Sequence, residues 1–155
     1  MKSMITISLP RDQRAQLRAV LRRAGHREIG GVLMGEQLAP SHFRIVNLSI
    51  DEISGTAAHF VRSPEHHQSA LNEFFTRTGS DYGRFNYLGE WHSHPNFPVR
   101  PSPTDVQSMV NLVHSERDIA FAALMIVRLR FLVRLELSCH MFAHGQEPKL
   151  VALSY

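Results

Sequence analysis

The residue types that could do chemistry in this chain crowd into one stretch. Gly89-Glu90-Trp91-His92-Ser93-His94-Pro95 is followed shortly by Ser102 and Asp105. In a β-strand, residues two apart point to the same face, so His92 and His94 would present two imidazoles side by side. The Pro-rich run Pro95 to Pro101 is short and stiff, and it can return the chain to the same place at small entropic cost. Asp105 would then stand in the first turn of a helix, where the macrodipole favours a carboxylate. Two neutral imidazoles and one carboxylate form a ligand set suited to Zn²⁺, with a fourth position left for water. Such an open site is catalytic in pattern rather than structural. Each piece also has a plainer reading. His-x-His occurs on strand surfaces without a metal, and Ser102-x-x-Asp105 serves equally well as a capping box. The joint occurrence of these pieces, with a separate Glu28 beside a Gly-rich segment, points to the metal.

The elements that must position these residues follow from periodicity. Met4 to Leu9 alternates like a half-buried strand closed by Pro10. Arg11 to Ala24 reads as an amphipathic helix stopped by Gly25. Its Arg11, Arg14, Arg18 and Arg22 lie opposite Leu17, Val20 and Leu21 and read as a solvated face. Ile29 to Leu38 and His42 to Ile50 form a hairpin through Ala39-Pro40-Ser41, and the glycines of the first strand imply close approach to its backbone. Ser63-Pro64-Glu65 opens a helix that runs to about Arg77. Gly79 to Asn86 is a polar loop, and Tyr87 to Ser93 is the strand that carries the histidine pair. The Asp105 helix buries Val106, Met109, Val110 and Val113. Ile119 to Val127 is apolar throughout, as a central strand covered on both faces should be. Arg128 to Ser138 alternates as one further strand, and Lys149 to Leu153 is a short last one. The expected fold is one α/β (α+β) domain over residues 1–155, with a mixed, largely antiparallel sheet flanked by helices.

This segment resembles the JAB/MPN (JAMM) zinc metallopeptidase motif: a His-x-His pair, seven residues, Ser, two residues, Asp. Here the seven are Pro95 to Pro101. The family's upstream catalytic Glu and Gly-x-Leu-x-Gly-like strand resemble Glu28-Ile29-Gly30-Gly31-Val32-Leu33-Met34-Gly35. The resemblance implies a JAB/MPN fold, one Zn²⁺ per chain on His92, His94 and Asp105 with a metal-bound water, and Glu28 as general base and later acid. It implies Ser102 as a hydrogen-bond donor to the developing oxyanion. Glu90, two residues before His92, is a rival base by strand geometry. The other histidines pair less persuasively: His66-His67 reads as a solvated helix start, and His114, His140 and His144 lack partners at ligand spacing. Cys139 and Trp91 read as packed groups.

The compact chain looks like the bacterial stand-alone JAB members. That implies cleavage after the C-terminus of a ubiquitin-like protein, or of a related conjugate. E1-like and E2-like enzymes of an anti-phage defence system are candidate partners. The Gly30-Gly31 region could hold an extended substrate tail by strand addition. Trimming of a sulfur-carrier protein, a non-catalytic MPN scaffold and a His-x-His nuclease are the alternatives; a zinc deaminase would need a Pro-Cys-x-x-Cys element, and the chain has one cysteine. Composition narrows the setting. The 155 residues suit a single core, with 43% hydrophobic and 20% charged residues. The formal charge of +3 lacks the clustered basic-aromatic stripe of a nucleic-acid binder. No apolar run reaches the roughly 20 residues of a membrane span. The N-terminus lacks a secretory pattern, and the lone Cys139 needs no oxidising compartment, so a cytoplasmic protein is expected.

Overall fold

The computed structural model describes residues 4–53, 63–116 and 119–155. The elements run β1 (Thr6–Ser8), α1 (Arg11–Ala24), β2 (Gly30–Ala39), β3 (His42–Leu48), α2 (Pro64–Arg77), β4 (Phe85–Ser93), α3 (Pro103–Asn111), β5 (Phe121–Arg130), β6 (Arg134–Ala143), β7 (Lys149–Leu150) and β8 (Ala152–Ser154). A wider π-helical turn, Leu112–Glu116, extends α3.

The eight strands form one mixed sheet in the order β7-β6-β5-β4-β2-β3-β1-β8. The β2–β3, β2–β4, β5–β6 and β6–β7 pairs are antiparallel; β4–β5, β1–β3 and β1–β8 are parallel. Only Val151 separates β7 from β8, yet these two strands sit at opposite ends of that order. The sheet therefore curls until its ends nearly meet, and the Val151 N–H fastens the seam to the Cys139 carbonyl.

Alternation along the strands sorts the core into two sides. Ala123, Met125 and Val127 of β5 join Trp91, Leu33, Ile45 and the α1 residues Leu17, Val20 and Leu21 in the inner cluster. Ala122, Leu124 and Ile126 face the other way, against Met109, Leu112 and Val113 of the α3 region. On that same outer side, α2 lays Leu71 and Phe74 over Val32 and Met34 of β2. The fully apolar β5 is thus covered on both faces, as its sequence requires. Trp91 points inward and is fully buried, its indole N–H donating to the Ser49 carbonyl at 2.8 Å.

Three expectations need correction. Arg128 to Ser138 is not one strand: β5 ends at Arg130, residues 131–133 turn, and β6 starts at Arg134. The alternation passes through the turn unbroken because Leu129 and Leu135 are cross-strand partners, in phase on one face. Phe131 (φ 53°) and Leu132 (φ 62°) adopt left-handed backbone at a cost of roughly 1–2 kcal/mol each, and the turn lacks the Gly or Asn that would have marked it in the sequence. Second, the loop from Gly79 is shorter than expected, since β4 already begins at Phe85. Arg84 lies beside it and joins Arg44 in gripping the buried Glu36 carboxylate. Third, the histidine pair at the start of α2 is not solvated. His67 is 2% exposed, and the His66 ring meets the Ser49 hydroxyl at 3.0 Å.

Candidate functional site

The site lies on the outer side of the sheet, in the seam between α2 and α3. β4 delivers His92 from its last turn of pleat, and His94 follows with its N–H bonded to the Val127 carbonyl at 2.9 Å. The strand bulges just before: Leu33 pairs with Gly89, but Met34 pairs with Tyr87. Gly89 carries φ 153°, and a Cβ there would fall 1.9 Å from the Ala123 carbonyl oxygen. Only glycine lets β4 pass β5 this closely and arrive with both imidazoles on the outer face.

Asp105 reaches the same point from α3. Ser102 caps that helix reciprocally: its hydroxyl accepts from the Asp105 N–H at 3.0 Å, and its own N–H donates to Asp105 Oδ2 at 2.8 Å. The capping box and the candidate ligand are therefore one device, because the bond that caps the helix also fixes the carboxylate. His92 Nε2 and His94 Nε2 are 3.1 Å apart; His92 Nε2 lies 3.3 Å from Asp105 Oδ1, and His94 Nε2 lies 3.3 Å from Asp105 Oδ2. A tetrahedral zinc site, with bonds of about 2.0–2.1 Å, spaces its donor atoms about 3.4 Å apart. With one ligand atom taken from each residue, the three lie within 4.8 Å of one another, and the donor set of two imidazoles and a carboxylate fits the ion. Among the described residues it is the one group of three or more such side chains that could hold a metal.

The surroundings prepare the donors. His94 Nδ1 lies 2.9 Å from the Pro98 carbonyl, so this nitrogen carries the proton and donates, leaving Nε2 as the ligand atom. The Pro-rich loop is thus more than a stiff connector: it supplies the group that orients a ligand. Burial alone would lower the His94 pKa; hydrogen bonds to Asp105 and Pro98, with the negative charges of Asp105 and Glu28, raise it instead. Burial pushes the Asp105 carboxyl up, but its hydrogen bonds with His92 and His94 hold it well below the usual carboxylate range.

Glu28 is buried beside this group, at 5% exposure, and close enough for its charge to act on His94. Ser93 clamps it there. The Ile29 N–H donates to the Ser93 hydroxyl at 3.0 Å, and the Ser93 N–H donates to the Ile29 carbonyl at 2.8 Å. Glu90 turns toward α2, where its Oε1 lies 3.6 Å from His67 Nδ1. Neither the Ser93 clamp nor the His67–Glu90 contact is signalled in the sequence, since both depend on segments brought together from far along the chain. Cys139 is buried, and burial pushes its thiol up to about 12, which leaves it an inert packed group. Strand addition along Gly30-Gly31 is closed off. Gly30 pairs with His92 on one side and bridges to Asp51 on the other. The close approach that excludes a side chain at Gly31 is the Ser49 carbonyl, 2.1 Å from where a Cβ would be.

Comparison with known proteins places this arrangement. Residues 10–147 match the family model described as prokaryotic homologs of the JAB domain. The chain belongs to the prokaryotic JAB family. Two curated relatives bear the name CD-NTase/cGAS isopeptidase: one from Vibrio cholerae, 39% identical over 84 residues, and one from Escherichia coli, 35% identical over 86. These matches cover 52% and 54% of this chain, and 51% and 52% of the relatives, so the chain spans about half the length of the curated relatives it matches. The solution structure of DSY2949 from Desulfitobacterium hafniense shares the fold, with TM-score 0.69 and 20% identity over 96% of this chain and 92% of that one. A solution structure from Salinibacter ruber does so at TM-score 0.60 and 21% identity, over 95% and 90%. The JAB fold expected from the motif is thus present. Among the described residues, no helix is long and apolar enough to cross a membrane.

Proposed function

We propose that this JAB domain is a zinc-dependent isopeptidase that hydrolyses the amide joining the C-terminal carboxyl of one protein to an amine of another. The observation that carries the reading is the convergence of His92, His94 and Asp105, with one ligand atom from each within 4.8 Å of the others and the buried Glu28 beside them. The ubiquitin-like conjugate expected from sequence becomes more definite through the relatives' names, which make a conjugate containing a CD-NTase the favoured substrate. E1-like and E2-like enzymes that build such conjugates are the corresponding partners.

His92, His94 and Asp105 would hold the ion. Bound there, zinc would supply Lewis-acid chemistry, polarising a carbonyl and making water more acidic. Glu28, buried beside the ligands, would accept the proton of the attacking water and return a proton to the departing amine. The Ser102 hydroxyl, which accepts one bond from the Asp105 N–H, still has its own proton to donate to the carbonyl oxygen as charge develops there. Glu90 and His67 buttress β4 against α2 and take no part in proton transfer.

The test uses purified protein, zinc, and CD-NTase conjugates isolated from cells carrying the same gene. Cleavage should require the metal, stop on chelation and return with zinc. Glu28→Ala should lower the rate by at least about 10³-fold while elemental analysis still finds one zinc per chain. A vacant site after zinc supplementation, or full activity in Glu28→Ala, refutes the reading.

A further inference from the structure

The register of β2 against β4 runs on beyond Gly30, where β2 begins. Gly30 pairs with His92, Gly31 with Trp91, Val32 with Glu90 and Leu33 with Gly89. Continued outward in the same register, Ile29 faces Ser93, Glu28 faces His94, and His26 faces Asn96. Hydrogen bonds tie both ends of this extension. The Ser93 N–H donates to the Ile29 carbonyl at 2.8 Å, and His26 Nδ1 lies 3.1 Å from Asn96 Oδ1.

This register accounts for the place of Glu28. Cross-strand partners in an antiparallel pair share a face, with Cβ atoms about 4.5–5.5 Å apart. Glu28 and His94 stand as such partners, whereas Gly30, opposite His92, offers no side chain. The carboxylate that this strand brings to the histidine pair is therefore that of Glu28.

The rung next to it is built differently from the rest. A hydrogen-bonded antiparallel pair exchanges two backbone bonds. Between Ile29 and Ser93 one of the two is replaced: the Ile29 N–H donates to the Ser93 hydroxyl at 3.0 Å instead of to the Ser93 carbonyl. Ile29 is fully buried and Ser93 is 1% exposed, so solvent does not stand in for that hydroxyl. Without it, the Ile29 N–H either stays buried without an acceptor or closes on the Ser93 carbonyl. Both outcomes turn the peptide plane that joins Ile29 to Glu28.

We infer that Ser93 is a positioning residue for the general base: its hydroxyl, set into the β2–β4 ladder, holds Glu28 opposite His94. The inference rests on the isopeptidase reading above. It sets a requirement at this position that serine and threonine meet, and alanine and valine do not. Ser93 lines a cleft of about 130 Å³ beside the end of α1, which leaves room for the extra methyl of threonine or valine.

Threonine and valine have nearly the same shape and differ in the hydroxyl, so Ser93→Thr and Ser93→Val make the test, on the purified CD-NTase conjugate. Ser93→Val should lose about 10²-fold in kcat with KM within about threefold, because a misplacement of about 1 Å is enough for that loss. Ser93→Thr should stay within about threefold of wild type in both. Elemental analysis should find the same zinc in all three proteins. In the Glu28→Ala background, Ser93→Val should change the residual rate by less than about twofold, since a residue that acts through Glu28 has nothing left to position. Amide exchange reads the contact without turnover: the Ile29 N–H should stay protected in Ser93→Thr and exchange at least about tenfold faster in Ser93→Val. Equal activity of the two variants overturns the inference, whether both keep the wild-type rate or both lose it. Loss of zinc in Ser93→Val overturns it as well, because Ser93 would then act on the ligands. If wild type cleaves no conjugate, the isopeptidase reading fails first. Exchange at Ile29 then decides the ladder contact separately: equal protection in the two variants overturns it.

Discussion

At the scale of single residues, the candidate site works by having its donor atoms oriented before any ion arrives. The Pro98 carbonyl fixes the tautomer of His94, and the Ser102 N–H fixes the rotamer of Asp105. The same contacts set a proton linkage. Burial works against charge on His94, but the Asp105 carboxylate and the Pro98 carbonyl win, so the metal-free ring keeps its proton above its ordinary value near 6.5. Zinc needs the neutral ring, so binding below the raised pKa must release that proton. Apparent zinc affinity should therefore rise with pH through the raised His94 pKa and level off above it. Competition with a chromophoric chelator between about pH 6 and pH 8 measures this. In Asp105→Asn the rise should move to lower pH while the affinity falls; a pH-independent affinity in wild type would contradict the raised His94 pKa. The histidine pair and the Ser-x-x-Asp spacing were legible at this scale because each is local: one strand pleat and one helical turn. Glu28 was legible only through family resemblance, because no local rule brings it to His94.

At the scale of elements, two small features decide whether β4 and α3 meet correctly. Removing the cap with Ser102→Ala should destabilise the protein by about 1 kcal/mol. It should lower turnover by about 10²–10³-fold, because the proposed oxyanion donor goes with it. A variant that loses the stability but keeps its turnover would make Ser102 a cap and nothing more, and denaturant titration beside single-turnover kinetics separates the two. Gly89 has no such margin. Its φ of 153° and the Ala123 carbonyl 1.9 Å from any Cβ cannot both be relieved by side-chain movement. Gly89→Ala should cost about 3 kcal/mol or more and displace His92 and His94 together, which the urea midpoint and zinc content of the variant would report. The sequence misread the element that follows. Leu129, Phe131, Val133 and Leu135 alternate as a continuous strand would, yet the chain reverses among them. Period-2 patterning cannot mark a reversal when both arms stay in phase and the turn carries no Gly, Asn or Pro.

At the scale of the whole molecule, the sheet curls so that β7 and β8, one residue apart, close it from opposite ends. At the end away from the metal ligands, the Glu36 carboxylate is buried at 3% exposure and held by Arg44 and Arg84 from two neighbouring strand regions. Burial pushes its pKa up, but the two guanidinium groups outweigh burial and lower it from 4.5. A carboxyl depressed in the folded state adds stability above its unfolded pKa and loses it as pH falls through the folded value. Glu36→Gln should therefore cost about 2 kcal/mol at pH 7. The gap between wild type and variant should narrow below about pH 4. Fluorescence of Trp91, the sole tryptophan and fully buried, follows the unfolding. A gap that persists unchanged in acid would mean that Glu36 acts through packing rather than charge.

The amino-acid sequence by itself determined which side chains could bind a metal, the strand that carries two of them, the capped helix that carries the third, and the apolar faces that bury β5. These are consequences of covalent neighbours and of periods of 2 and 3.6 residues, which operate within a few residues. Tertiary structure decided what lies between distant segments. It set Glu28 beside His94 through the Ser93 clamp, aimed Glu90 at His67, closed both sides of Gly30, and left Phe131 to Val133 exposed on the turn between β5 and β6. The reason is physical: these placements depend on strand register and sheet curl, and those are fixed by the packing of the whole core rather than by any stretch of chain.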